Sequence, residues 1–285
     1  MKKNFNDVVE RYKFKTNYFD SPEKLRDEII NKTVVPHQVE FQPGSSGKKI
    51  CWLSCPYCYG ESAINNKERP TTERLVEILN EIADGGVNKV TFAGWATDPL
   101  NSKSIDDLLE TAIKRKMIFG FNTKPIKVSD KFISLLKADD INNQSWISLS
   151  IDSGSNEIFN KVHGMETKAP LYDNVLKNVN RIKEANIPLR KFDVSAAYLL
   201  NKFNSSKSEI EKFINDFKSA GCNLLRFSFA QPPRGLVNQE SIETVPQVEE
   251  KKKIMYELKE WINSFNDEHC KVLIIDPDTE NNIFY

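Results

Sequence analysis

Short apolar runs alternate with amphipathic segments along most of this chain, from about residue 38 to residue 230. The apolar runs are typical of strands. The segments between them repeat apolar residues with the 3.6-residue period of a helix, as Leu75, Leu79 and Ile82 do. Strands and helices in alternation predict β/α units around a parallel sheet. The predicted strands are 38–42, 87–93, 117–122, 146–152, 191–199 and 223–229, and the predicted helices are 71–84, 104–116, 129–138, 171–186 and 207–220.

Polar side chains alternate with apolar ones inside several of the predicted strands. In the fourth strand, Ser150 and Asp152 alternate with Leu149 and Ile151. A barrel interior is ordinarily filled with bulky branched side chains, and unpaired buried polar groups are unfavourable. We therefore expect a hydrated or ligand-filled lumen, although these polar groups could instead satisfy one another or lie in solvent at strand ends. The predicted lumen column is Asn122, Ser150, Asp152, Ser195 and Arg226.

The chain outside these units forms two short extensions. Residues 1–36 are charged and predict a helical cap, or alternatively a peptide-docking arm, on a core formed by residues 37–230. Residues 231–285 predict a helix and a further strand near 271–276. The predicted organisation is therefore one α/β core with an extension at each end.

Three of the five cysteines, Cys51, Cys55 and Cys58, lie close together in the spacing C-x3-C-x2-C. This spacing brings three thiolates to one small metal centre and supplies no fourth ligand. Iron-sulfur cubes are normally held by four thiolates, so three would leave one iron open to bind and activate another molecule. Cys222 and Cys270 are scattered and are predicted to be buried structural residues.

Two other interpretations of the clustered cysteines stay open at this point. A structural zinc site prefers four ligands and would need His37 or Cys222 as a distant fourth. The segment Cys55-Pro56-Tyr57-Cys58 also has the spacing of a glutaredoxin-type dithiol. The polar sequence after Pro246 does not suit the strand that a thioredoxin-like fold needs there.

The cysteine spacing, with an aromatic residue just before the last cysteine, resembles the signature of radical S-adenosylmethionine (SAM) enzymes. The resemblance implies a partial (β/α)6 TIM-like barrel of the radical SAM type. It also implies that Cys51, Cys55 and Cys58 hold a [4Fe-4S] cluster whose fourth iron is chelated by SAM. Reductive cleavage of SAM would then give a 5'-deoxyadenosyl radical that abstracts hydrogen from substrate. A flavodoxin or ferredoxin is the implied electron donor.

The same resemblance implies where SAM binds. Residues 92–100 follow the second strand, where radical SAM enzymes usually carry a Gly-Gly-Glu-Pro segment. Here Asp98-Pro99 replaces Glu-Pro, and only Gly94 remains of the glycines. The residues implied to bind SAM are Tyr57, Gly94, Thr97, Asp98, Asn122, Ser150, Asp152, Ser195 and Arg226. His163 follows the fourth strand as either a proton donor or, more in keeping with its loop, a capping residue.

Composition narrows the partners of this 285-residue chain. The 40 basic and 40 acidic residues cancel, so no net charge attracts nucleic acid or anionic membrane. No apolar run approaches the length of a membrane span, and we expect a soluble, cytoplasmic protein. The predicted substrate is a ribosomally synthesised peptide. The alternatives are a small metabolite, such as a sugar or amino acid, and a non-enzymatic iron-sulfur or zinc-binding protein.

Overall fold

Seven parallel strands form one open sheet in the part of the chain that the computed structural model describes, namely residues 21–44, 51, 53–58, 70–94, 97–188, 190–231 and 239–275. The strands follow one another across the sheet in chain order. They are β1 (Val39–Phe41), β2 (Lys89–Phe92), β3 (Ile118–Thr123), β4 (Trp146–Ser150), β5 (Asp193–Leu200), β6 (Leu224–Phe229) and β7 (Lys271–Ile274). All six predicted core strands are confirmed, and the predicted further strand pairs in parallel with β6.

Helices connect the strands and cover the outer face of the sheet. They are α1 (Pro22–Ile30), α2 (Thr72–Asp84), α3 (Ile105–Lys114), α4 (Asp130–Leu135), α5 (Asn156–Val162), α6 (Leu171–Asn186), α7 (Lys207–Ser219), α8 (Gln239–Thr244) and α9 (Val248–Asn263). The α/β fold class predicted from the sequence is confirmed. None of the described helices combines the length and the apolar character needed to cross a membrane.

The apolar core lies between the sheet and these helices. Phe121 of β3 stacks on Phe92 of β2 with ring centroids 5.0 Å apart, and Phe132 of α4 packs edge-on against it at 5.2 Å. Tyr198 of β5 packs in the same way against Phe213 of α7 at 4.8 Å. Because side chains alternate along a strand, the neighbours of these residues face the opposite side, which is the lumen.

Small and polar side chains occupy this lumen face in register. Asn122, Ser148 and Ser195 are paired positions across β3, β4 and β5. Ser150 and Arg226 lie one level nearer the carboxyl ends, each paired with Ala197 of β5. The carboxyl ends of all strands meet at one edge, where ligands bind in open parallel sheets.

Strand β4 is shorter than predicted, because the backbone leaves the extended conformation at Asp152, whose φ is 63°. The short helix α5 follows at once and was not predicted. Ser155 begins it by accepting a hydrogen bond from the Ile158 N–H, and His163 is its C-cap. With seven residues, α5 is too short for its apolar period to stand out in the sequence.

Candidate functional site

The cysteine loop, defined as Cys51 and residues 53–58, lies against the end of α5. The Ser54 N–H donates a hydrogen bond of 2.9 Å to the His163 carbonyl, and the Cys58 N–H donates one of 3.0 Å to the Cys55 carbonyl. Leu53 is buried in the core. These contacts hold the loop at a defined place beside the carboxyl end of β4.

Gly164 allows the close approach of α5 to this loop. It has a φ of 62°, and a Cβ atom built on it would lie 2.3 Å from the Ser54 carbonyl oxygen. An L side chain at this position would therefore meet both backbone strain and a steric clash.

None of the three loop cysteines forms a disulfide within the described part of the chain; Cys55 is buried, and Cys51 and Cys58 are half-buried. Burial raises the pKa of the Cys55 thiol to about 12, while the positive charge of Lys124 acts in the opposite direction. Cys51 and Cys58 are close enough to interact electrostatically with Cys55. A metal centre bound here would replace the thiol protons, because thiolates are the metal ligands.

The scattered cysteines lie at the opposite edge of the sheet from the cysteine loop. Among the described residues, no group of three His, Cys, Asp or Glu side chains is arranged in this structure to hold a metal ion. Cys222, which was considered as a distant fourth ligand, is buried just before β6 at the amino-terminal edge of the sheet, where it interacts electrostatically with Cys270. The prediction that these two cysteines are buried is confirmed.

Asp152 is the centre of a buried polar network beneath the cysteine loop. Its Oδ2 accepts hydrogen bonds from Lys124 Nζ at 2.8 Å and from the Tyr57 hydroxyl at 3.2 Å. Its Oδ1 accepts the Leu199 N–H at 2.8 Å, and its backbone carbonyl accepts the Asn204 side-chain amide at 2.8 Å. Although burial acts in the opposite direction, the Lys124 ammonium holds the pKa of Asp152 well below its usual range.

Lys124 is anchored at both its backbone and its ammonium group. The Asp98 carboxylate accepts its backbone N–H at 2.5 Å, while Nζ also donates to the Ser150 carbonyl at 2.9 Å. Burial lowers the pKa of Lys124, but Asp152 and Cys55 outweigh burial and raise it, so the ammonium stays charged. Lys124 is not among the site residues predicted from the sequence, although it directly follows β3 at the same edge of the sheet as Asp152.

Asp98 and Gly94 shape the loop after β2. Gly94 turns so tightly that a Cβ atom would lie 1.7 Å from the Thr97 carbonyl oxygen. Asp98 accepts the Leu100 N–H and the Thr123 hydroxyl in addition to the Lys124 N–H. Burial raises the pKa of Asp98 to about 6, although these donors act in the opposite direction. Its carboxylate is thus committed to contacts within the protein.

His163 is the C-cap of α5 and is fully buried. Its Nδ1–H donates to the Phe159 carbonyl at 2.8 Å, and Nε2 lies 3.5 Å from the Asp152 carboxylate. Burial, together with the Lys124 ammonium, lowers the pKa of His163, although the Asp152 carboxylate acts in the opposite direction. His163 therefore has a capping role in this structure.

The remaining predicted site residues lie along the lumen edge. Asn122 is exposed, Ser150 and Arg226 are half-buried, and Thr97 is buried. The Ser195 hydroxyl is buried and makes no hydrogen bond to any residue that the structure describes. Tyr57 and Asp152 are thus hydrogen-bonded to each other, and Asn122 and Ser195 lie at one level of the sheet.

Comparisons with known proteins agree with this architecture. Residues 47–216 match the profile of the Radical SAM superfamily. An S-adenosylmethionine-dependent nucleotide dehydratase from Flammeovirga pacifica is 29% identical over 178 residues, which are 59% of this chain and 56% of that protein.

Two solved structures of SuiB from Streptococcus suis share the fold. The structure bound to the precursor peptide SuiA has 13% identity and a TM-score of 0.61, covering 88% of this chain and 51% of SuiB. The structure bound to S-adenosylmethionine has 14% identity and a TM-score of 0.62, covering 95% of this chain and 61% of SuiB. The chain therefore spans between half and two thirds of the length of these proteins. With the profile matched over more than half of its residues, the chain belongs to the radical SAM superfamily.

Proposed function

We propose that Cys51, Cys55 and Cys58 hold a [4Fe-4S] cluster and that the adjacent carboxyl edge of the sheet binds SAM. The observation that carries this proposal is the grouping of three cysteines on one loop that is hydrogen-bonded to the end of α5. Soft thiolate ligands suit iron-sulfur clusters, so this donor set fits the cofactor. Once bound and reduced by a flavodoxin or ferredoxin, the cofactors supply a 5'-deoxyadenosyl radical that removes a hydrogen atom from substrate.

The protein contributes position, charge and exclusion of water. Leu53 and the hydrogen bond from Ser54 to His163 fix the loop that carries the cysteines. Lys124 and Asp152 provide a buried pair of opposite charges below that loop. A site with fixed charges and little water favours control over a reactive intermediate.

We assign SAM binding to Tyr57, Gly94, Thr97, Asp98, Asn122, Ser150, Asp152, Ser195 and Arg226. Asn122, Ser150 and Arg226 are partly accessible, so their side chains suit direct contacts with the ligand. Asp98, Asp152 and Tyr57 already make hydrogen bonds inside the protein, and in this proposal they shape the site. Ser195 offers an unused hydroxyl to a ligand in the lumen.

The proposed substrate is a ribosomally synthesised peptide. The support is the fold likeness to SuiB, which was solved with a precursor peptide and which overlaps 88% of this chain. The unclosed sheet also fits an extended substrate, because strands β1 and β7 are not joined in the described part of the chain.

A nucleotide, as an anionic small metabolite, is the second candidate. It is favoured by the relative named as a nucleotide dehydratase and by cationic groups on the lumen face. Lys89 is buried on that face, with Nζ 5.4 Å from the centre of the Trp146 ring, and burial lowers its pKa to about 8. Arg226 lies on the same face of β6.

Anaerobic reconstitution with iron and sulfide tests the central proposal. We expect about four irons per chain, as one cubane requires, and formation of 5'-deoxyadenosine when SAM and dithionite are added. Cys55→Ala should lose both the iron and the SAM cleavage. Cys222→Ala is the matched control, since it removes a buried thiol at the other edge of the sheet and should retain both. Normal iron binding by Cys55→Ala would overturn the ligand assignment.

The two substrate candidates make different predictions in the same assay. A precursor peptide encoded beside this gene should increase 5'-deoxyadenosine formation and lose hydrogen to it, whereas a panel of ribonucleoside triphosphates should have no effect. Stimulation by a triphosphate, with none by the peptide, would replace the peptide proposal by the nucleotide candidate.

A further inference from the structure

Lys124 and Asp152 form a buried pair of opposite charges directly beneath the cysteine loop. The Lys124 side chain is 15% exposed, the Asp152 side chain is fully buried, and Lys124 Nζ lies 2.8 Å from Asp152 Oδ2. The same carboxylate oxygen accepts the Tyr57 hydroxyl at 3.2 Å, and Tyr57 lies between Cys55 and Cys58 in the loop. The ammonium and the carboxylate therefore act on the loop with opposite sign, in agreement with their opposite effects on the pKa of Cys55.

The surroundings keep the ammonium in this position. Asp98 holds the Lys124 backbone, while Asp152 and the Ser150 carbonyl hold Nζ. The Tyr57 hydroxyl and the His163 ring also lie against the Asp152 carboxylate, at 3.2 and 3.5 Å. Each of these groups contacts the charge pair from a different element, so the lysine has little freedom to turn away from the cysteine loop.

We infer that Lys124 raises the reduction potential of the iron-sulfur cluster on Cys51, Cys55 and Cys58 by holding a fixed positive charge beneath the cysteine loop. This inference rests on the proposed cluster. Adding one electron adds one negative charge to that centre, and a nearby cation stabilises the added charge. Cluster potentials in proteins depend on net charge and solvent exposure around the sulfur ligands. Asp152 positions the lysine and acts on the potential with the opposite sign.

The test is an anaerobic redox titration of the reconstituted protein without SAM, with the reduced cluster followed by electron paramagnetic resonance and dithionite as the electron source. We expect Lys124→Met to shift the midpoint potential to a more negative value and Asp152→Asn to shift it to a more positive value. The double variant should lie between the two single variants. If Lys124 and Asp152 had only structural roles, the two substitutions would shift the midpoint potential in the same direction or leave it unchanged.

Lys191→Met is the matched control. Lys191 is also largely buried, with 10% of its side chain exposed and a carboxylate partner in Asp139, but it precedes β5 at the opposite edge of the sheet. Its replacement should leave the midpoint potential unchanged.

Each outcome decides the inference. If Lys124→Met loads no cluster, the effect of the lysine is measured by comparing Asp152→Asn with the double variant. The inference then requires a more negative midpoint potential in the double variant. Equal potentials in that comparison, or an unshifted potential in a fully loaded Lys124→Met, would overturn the inference. A wild-type protein without a cluster would instead overturn the proposed function.

Discussion

At the scale of single residues, Gly120 makes room for the largest side chain of the lumen. It is paired in register with Trp146, and a Cβ atom at Gly120 would lie 2.1 Å from the indole ring. Trp146 is almost fully buried and has Lys89 close to its ring. Because this packing fixes the indole ring, the structure has no room for a side chain at position 120.

We expect Gly120→Ala to lower the free energy of unfolding by about 1–3 kcal/mol, as overpacking of a core does. Urea unfolding followed by tryptophan fluorescence and circular dichroism measures this change. Gly85→Ala is the control, because its Cβ would meet only ordinary contacts at 3.4 Å, and it should change stability by less than about 0.5 kcal/mol. Equal stability of the two variants would contradict the packing argument.

Some residues of the candidate site could be recognised from the sequence alone, and others could not. The spacing of Cys51, Cys55 and Cys58 and the end position of Asp152 are local features, so they could be recognised without a structure. Lys124 could have been placed at the same edge of the sheet, because it directly follows β3. Its ion pair with Asp152 joins residues 28 positions apart that follow two different strands, and the local sequence does not reveal that pairing. The capping role of His163 could be anticipated from its loop, but its 3.5 Å approach to Asp152 could not.

At the scale of elements, the end of α5 supports the cysteine loop. Gly164 packs on Ser54, and the neighbouring His163 carbonyl accepts the Ser54 N–H. The predicted strands were found because each has a short apolar run or a regular alternation of apolar and polar residues. Helix α5 was missed because its burial depends on two apolar residues, Phe159 and Val162, in a single short element.

Gly164→Ala should therefore reduce iron binding in reconstituted protein, because strain and the clash with Ser54 displace the cysteine loop. Gly221→Ala is a matched control. It also has a positive φ, of 82°, but its nearest neighbour is the flexible side chain of Lys183 at 3.4 Å. Both variants should lose about 1–2 kcal/mol of stability from the left-handed backbone conformation, while only Gly164→Ala should lose iron. Equal iron contents would show that the loop does not need this contact.

At the scale of the whole molecule, β7 continues the sheet of the core. Residues Leu224–Phe227 of β6 pair in register with Lys271–Ile274, and α9 packs beside them. The prediction that residues 231–285 form a separate extension is not tested by the pairing alone, because an added strand could unfold before the rest. Ile262 of α9 is fully buried, so its replacement tests whether the C-terminal segment unfolds together with the core.

We expect Ile262→Ala to lower stability by about 2–5 kcal/mol and to shift one unfolding transition as a whole. The control is Val248→Ala, because Val248 is 63% exposed at the start of the same helix and should have little effect. Urea unfolding monitored in parallel by fluorescence and circular dichroism gives the transitions. A curve with two steps, of which only the first moves, would show that the C-terminal segment unfolds separately.

The hydrogen bond between Tyr57 and Asp152 has a consequence for how the protein is made. Its two residues are 95 positions apart, so the cysteine loop leaves the ribosome long before β4 and α5 can support it. Domains fold progressively during synthesis, and during that interval the three thiols of a nascent chain are open to oxidation or to unwanted metals. For the proposed cluster, we therefore expect delivery of iron and sulfide to follow synthesis and folding of the chain through α5.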